Sequence, residues 1–295
     1  MGDRGAGPNA GIRSTATDPE GESMRDRSGR PVADTSPVAE TVPFRYAAVG
    51  DSFTEGVGDP RPNGQMRGWA DLVAEGIANT LRTPIGYANV AIRGRLLDPI
   101  VDDQLPTVLN LDPPPTLVTF NGGGNDMLRP NFDVGTLGER TEEAIGACAA
   151  AGVRLVLLSG PDPSSRLPFG SAVGVRGAQY TAVLADLAQR HDVTFVDLFN
   201  TTALAHPGYW SSDRIHLNPQ GHRRVAAEVL ATVLEVTSDV THPPAEASPR
   251  PWDAVTFGCN HLLPWVIRHA RGRSSGDLIE PKHDDWEVIG PATLR

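Results

Sequence analysis

Short apolar runs alternate with amphipathic stretches between residues 43 and 237. The first run, from about Phe44 to Val49, stops at Gly50-Asp51-Ser52 and reads as a buried strand. Trp69, Leu72, Val73 and Ile77 recur at helical spacing, which predicts a helix over 69–81. A second strand is predicted over 85–92 and a helix over 96–111, shortened or kinked by Pro99 and Pro106. Pro113-Pro114-Pro115 breaks the chain before a third strand, Thr116 to Phe120. A helix over 136–151, a fourth strand over 153–158, a loop over 160–174, a helix over 176–191 and a fifth strand over 193–199 follow. Asn218-Pro219 reads as the cap and first position of a last helix, with Val225, Val229, Leu230, Val233 and Leu234 along one face.

The strands are apolar throughout rather than alternating, as expected when both sheet faces are covered. Five strands interleaved with helices predict a three-layer α/β/α sandwich with a five-stranded, mostly parallel sheet over 43–237. Residues 1–42 are rich in Gly, Pro, Ser, Thr, Asp and Arg and read as a disordered arm. Residues 238–251 are a Pro-rich linker. The tail, 252–295, carries Trp252, Val255, Phe257, Leu262, Trp265 and Ile267. It is expected to pack back on the domain, with docking to a partner or a membrane surface as the alternative, and its end, 271–295, is expected to be loosely held.

Charge narrows the partners. With 295 residues, a net charge of −10 and 6% aromatic residues, the chain has no basic, aromatic-interleaved patch for nucleic acid. No run approaches the length that spans a bilayer, and residues 1–40 show no apolar leader, so no stable membrane insertion and a cytoplasmic location are expected. Cys148 and Cys259 show no ligand spacing, and the remaining histidines are scattered, so neither a metal nor a cofactor is expected. Gly122-Gly123-Gly124 lacks the Lys-Ser/Thr of a phosphate loop.

Four features fall at loop positions that a parallel sheet brings to one edge: Ser52 after the first strand, Gly94 after the second, Asn125 after the third and Asp213-x-x-His216 before the last helix. Taken alone, Ser52 is a turn residue or helix cap, and Asp213 with His216 is a capping pair or half a metal site. Together they are a nucleophile, a base and a carboxylate to orient it. The backbone N–H groups of Ser52 and Gly94 and the amide of Asn125 are suited to bind an oxyanion. Arg93, Arg129 and Arg214 flank these blocks, either as structural ion pairs or as anchors for an anionic substrate.

In Gly50-Asp51-Ser52, Gly94, Gly123-x-Asn125-Asp126 and Asp213-x-x-His216 the chain resembles the GDSL or SGNH hydrolases, with Phe53 where the name-giving motif has Leu. The resemblance covers about Phe44 to Leu234. It implies a flavodoxin-like fold and metal-free hydrolysis of carboxylic esters. Ser52 would then be the nucleophile, His216 the base and Asp213 its orienting group, with Ser52, Gly94 and Asn125 as the oxyanion hole. Small acyl or acetyl esters are the expected substrates. A sugar O-deacetylase, an acyltransferase and a non-catalytic binding module are the alternatives. The oligomeric state is not readable.

Overall fold

The apolar runs become strands whose two faces are both covered. β1 (Arg45–Val49) sends Tyr46 and Ala48 into one core and Ala47 and Val49 into the other. β2 (Ile85–Asn89) and β3 (Leu117–Phe120) are buried at every position, and β4 (Arg154–Leu158) at every position after its first. Because successive side chains leave a strand on opposite faces, such runs need a helix layer on each side. The computed structural model describes residues 42–167, 170–235, 276 and 278–292. Residues 1–41 of the expected arm, all of the linker and the tail up to 275, with its Trp252 and Trp265, lie outside the described residues.

Among the described residues the helices are α1 (Ser52–Glu55), α2 (Gly68–Leu81), α3 (Leu97–Pro99), α4 (Leu105–Leu109), α5 (Val134–Ala150), α6 (Gly170–His191) and α7 (Pro219–Leu234). A π-helical turn, Ile100–Gln104, joins α3 to α4, in the stretch bounded by Pro99 and Pro106. α2 and α7 cover one face with Trp69, Val73, Ile77, Val225 and Val229. Leu97, Ile100, Leu105, Ile145 and Tyr180 cover the other. Asn218 caps α7 as expected, its side chain accepting from the N–H groups of Gln220 (2.9 Å) and Gly221 (3.0 Å).

Three expectations are corrected. Among the described residues the sheet has six strands, not five, in the order β5-β4-β3-β1-β2-β6, with β5 at Thr194–Val196 and β6 at His283–Ile289. Strands β1 to β5 pair in parallel, and β6 runs antiparallel to β2. Residues 283–289 of the stretch expected to be loosely held are therefore a strand of the sheet: Trp286 is buried in the core and its indole N–H donates to Pro113 O at 2.9 Å. One aromatic among charged neighbours gives β6 no apolar period to read. Helix α6 also starts six residues before the predicted Arg176. Gly170 and Gly174 look like loop formers, but they sit where α6 crosses Ser164, and a Cβ at Gly170 would lie 1.8 Å from Ser164 O.

The order β3-β1-β2 is a topological switch. β2 lies on one side of β1 and β3 on the other, which opens a crevice at their carboxyl ends.

Candidate active site

β1 delivers Ser52 to that crevice through a tightly held turn. The backbone of Gly50 is bracketed by the Gln104 amide, with Gly50 N–H donating to Oε1 at 2.8 Å and Nε2 donating to Gly50 O at 2.9 Å. A Cβ on Gly50 would lie 2.4 Å from Thr54 Oγ1, so the approach requires glycine. Asp51 caps α1 by accepting from Phe53 N–H at 3.0 Å. Ser52 opens α1, where the first N–H groups have no intrahelical acceptor.

The second half of the site arrives from the loop before α7. Asp213 Oδ1 accepts from Ser211 Oγ (2.6 Å) and from the N–H groups of Ile215 and His216 (3.0 Å each). Its Oδ2 lies 2.6 Å from His216 Nδ1, and His216 Nε2 lies 2.8 Å from Ser52 Oγ. Burial disfavours the Asp213 charge, but the His216 ring and backbone N–H and the Ser211 hydroxyl outweigh it and hold the carboxyl well below the usual range. The Nδ1 hydrogen bond to a carboxylate leaves Nε2 to face the hydroxyl.

Gly94 adopts φ 75°, a conformation that favours glycine. Its neighbours tie it to the other two blocks. Arg93 donates to Glu55, the last residue of α1, from its backbone N–H (2.7 Å) and its Nε (2.9 Å), so this arginine is a structural ion pair. Arg95 O accepts from Asn125 Nδ2 at 3.0 Å. The second Asn125 amide proton goes to Asp51 Oδ2, also at 3.0 Å. Both donors of Asn125 are thus engaged, and any further acceptor would have to draw one of them away. Asp51 is buried, which pushes its carboxyl upward, with the Phe53 and Asn125 bonds opposing. Asp126, beside it, accepts from Leu97 N–H at 3.0 Å, and burial pushes its pKa up to about 6.

Ser52, Asn125 and His216 line a pocket of ≈ 970 Å³, its open mouth included. Gly94 and Asp213 stand outside the lining. The walls are mostly apolar and include Phe53, Val57, Met127, Leu128, Val173 and Tyr180, with Pro161 and Pro163 of the predicted loop. Cys148 is buried in the core, and Cys259 lies outside the described residues. Among the described residues no three His, Cys, Asp or Glu side chains group to hold a metal, and no helix is long and apolar enough to cross a membrane.

Gln104, His222 and the Asp51–Asn125 pair were not foreseen. His222 is fully buried: Nδ1 accepts from Trp69 N–H at 3.2 Å and Nε2 donates to Val57 O at 3.1 Å. It joins the start of α7 to the segment just past α1. Its only sequence signal is its place one turn after Asn218, on the face that carries Val225 and Val229.

Residues 48–224, more than half of the chain, match the GDSL-like lipase/acylhydrolase family. Among curated proteins no sequence relative is found. Similar solved structures include TesA (22% identity, 65% of this chain and 99% of that one, TM-score 0.55). The psychrotrophic esterase EstA from Pseudoalteromonas sp. is 18% identical over 65% of this chain and 97% of its own, with TM-score 0.52. A catalytic mutant of the acetylxylan esterase Axe2 from Geobacillus stearothermophilus is 17% identical over 65% and 94%, with TM-score 0.51. At these identities the structures speak for the fold.

Proposed function

The chain belongs to the GDSL-like lipase/acylhydrolase family, a family of ester hydrolases, and from that premise we propose that it cleaves carboxylic esters through an acyl-enzyme on Ser52. The observation that carries this reading is the unbroken line Asp213–His216–Ser52, with contacts of 2.6 and 2.8 Å. Ser52 Oγ attacks the ester carbonyl while His216 Nε2 takes its proton. The charge that develops on the carbonyl oxygen is met by the N–H groups of Ser52 and Gly94 and by Asn125 Nδ2. Collapse breaks the bond to the alcohol oxygen, and His216 returns the proton to that leaving group. Water, deprotonated by His216, then attacks the acyl carbon and frees the acid and Ser52. Asp213 stays ionised and holds Nδ1–H throughout.

The apolar walls favour an ester whose acyl group is itself apolar, with acetyl the smallest member of the series. A sugar O-deacetylase would need polar groups to seat its alcohol, and an acyltransferase an alcohol that outcompetes water. The test is labelling by a serine-directed fluorophosphonate, mapped by peptide mass, beside hydrolysis of a graded series of aryl esters. Ser52 is expected to carry the label, and Ser52→Ala and His216→Ala to lose turnover. Retained hydrolysis in Ser52→Ala, or a label elsewhere, refutes the mechanism, and a wild-type chain that takes no label favours a binding module.

A further inference from the structure

Helix α1 is a single turn, and its position decides where Ser52 points. A helix this short has little stability of its own, and its last carbonyls lack intrahelical partners. One of them, Glu55 O, is taken by a residue 227 positions later in the chain. Lys282, immediately before β6, brings its Nζ to Glu55 O (3.0 Å), Met66 O (3.0 Å), Arg67 O (2.8 Å) and Asp71 Oδ1 (2.7 Å). Its side chain is 8% exposed. The ammonium therefore knots the end of α1 to the start of α2. Asp71 also accepts from Tyr87 Oη of β2 at 2.7 Å, which anchors the knot to the sheet.

The same helix end reaches the Gly94 loop. The side chain of Glu55 holds Arg93 by its backbone N–H and guanidinium. Gly276, the other end of the described tail, packs so closely there that a Cβ on it would lie 2.2 Å from Arg93 O. The tail thus touches the backbone of Arg93, next to Gly94, and the far end of the one-turn helix that Ser52 opens. Lys282 and Gly276 both lie outside residues 48–224.

We propose that Lys282 is a positioning residue: from the appended C-terminal segment it fixes α1, and through Glu55 and Arg93 aligns Ser52 and Gly94 with one another. This rests on the reading of Ser52 as nucleophile. A cation at a helix carboxyl end meets the helix dipole, and a buried ammonium fully surrounded by acceptors has one geometry available to it. Methionine in its place fills similar volume but leaves Glu55 O unheld.

The test compares four full-length chains: wild type, Lys282→Met, Lys282→Met with Asp71→Asn, and Trp286→Phe. The double variant leaves no unpaired buried charge at the knot, so it stays informative if Lys282→Met does not fold. Trp286→Phe loses the indole bond to Pro113 O but keeps the β6 ring packed in the core, and so reports what destabilisation alone does. Each chain is assayed for fluorophosphonate labelling rate at Ser52, and for kcat and KM on an aryl ester per labelled site. The Lys282 variants are expected to label and turn over about tenfold more slowly at a KM within about twofold of wild type, since small misplacements of reacting groups cost this much or more. Trp286→Phe is expected to keep the wild-type kcat at a lower melting temperature. Labelling and kcat in the Lys282 variants equal to wild type, whatever their melting temperature, overturn the proposal. A wild-type chain that takes no label at Ser52 overturns instead the nucleophile assignment beneath it.

Discussion

Acidification should weaken the fold through His222, and the size of the effect follows from its surroundings. The ring is fully buried, with an N–H donor on one nitrogen and an acceptor carbonyl on the other. Burial disfavours the imidazolium and pushes the pKa down from 6.5 to about 4. The unfolded chain takes up a proton near pH 6.5, and the folded chain resists it until about pH 4. Stability from this site is complete above pH 6.5 and is lost as pH falls from 6.5 to 4. Integrated from pH 7.5 to pH 4, the loss is about 3 kcal/mol. Asp126 works in the opposite sense: burial pushes its folded pKa up to about 6, so it adds stability as pH falls from 6 towards its unfolded value of 3.8. The two trends overlap, so the wild-type curve alone does not isolate either.

The variant His222→Gln separates them. Glutamine can still donate to Val57 O, but it cannot titrate and leaves Trp69 N–H without its acceptor. At pH 7.5 it should be less stable than wild type by about 1–2 kcal/mol. That gap should close by about 3 kcal/mol on going to pH 4, which leaves the variant the more stable chain. Urea unfolding followed by tryptophan fluorescence at pH 7.5, 6, 5 and 4 measures it. A gap that stays constant across the series refutes the reasoning.

Three further outcomes are expected at the site. Asn125→Ala should lower kcat by about 10²–10³-fold with KM nearly unchanged, as for loss of an oxyanion donor, and steady-state kinetics on an aryl ester checks it; an effect confined to KM would remove Asn125 from that role. Asp213→Asn should keep the fold, seen by circular dichroism, yet lower kcat by about 10⁴-fold, because an amide can hold His216 with the proton on the wrong nitrogen. Gly58 has φ 103°, and a Cβ there would lie 1.9 Å from Leu217 O, next to His216; Gly58→Ala should lower the melting temperature and, by displacing Leu217, kcat as well, and an unchanged kcat would show that the loop yields without moving His216.

The parts of this fold that can be read from the sequence are those where one residue type has one job. Apolar runs such as Tyr46–Val49 have no use except between two layers, so the parallel strands and their order along the chain are legible. Asn218-Pro219 marks its helix start because the backbone there needs a side-chain acceptor and has no use for an N–H. Ser52, Asn125, Asp213 and His216 are visible because each falls at a loop position that a parallel sheet brings to one edge. What stays hidden depends on partners far away in sequence. Gln104 is one polar residue on a kinked helix until Gly50 is known to sit beside it. Lys282 is one lysine in a charged stretch until three carbonyls converge on it. β6 escapes for the same reason: its one buried residue, Trp286, shares its strand face with Asp284 and a largely exposed Val288, too little to make a period, and its pairing with β2 supplies what the pattern does not.

That last strand also decides how the sheet meets other molecules. Every residue of β2 is buried, and its outer row of N–H and C=O groups would be an open template for any extended chain if β6 did not occupy it. Among the described residues the strand that closes this edge becomes the new edge, and it is a poor template: Asp284, Asp285 and Glu287 are exposed along it, so a second copy approaching in register would meet like charge. Removing the segment would therefore convert a guarded border into an aggregation-prone one, quite apart from any loss at Ser52.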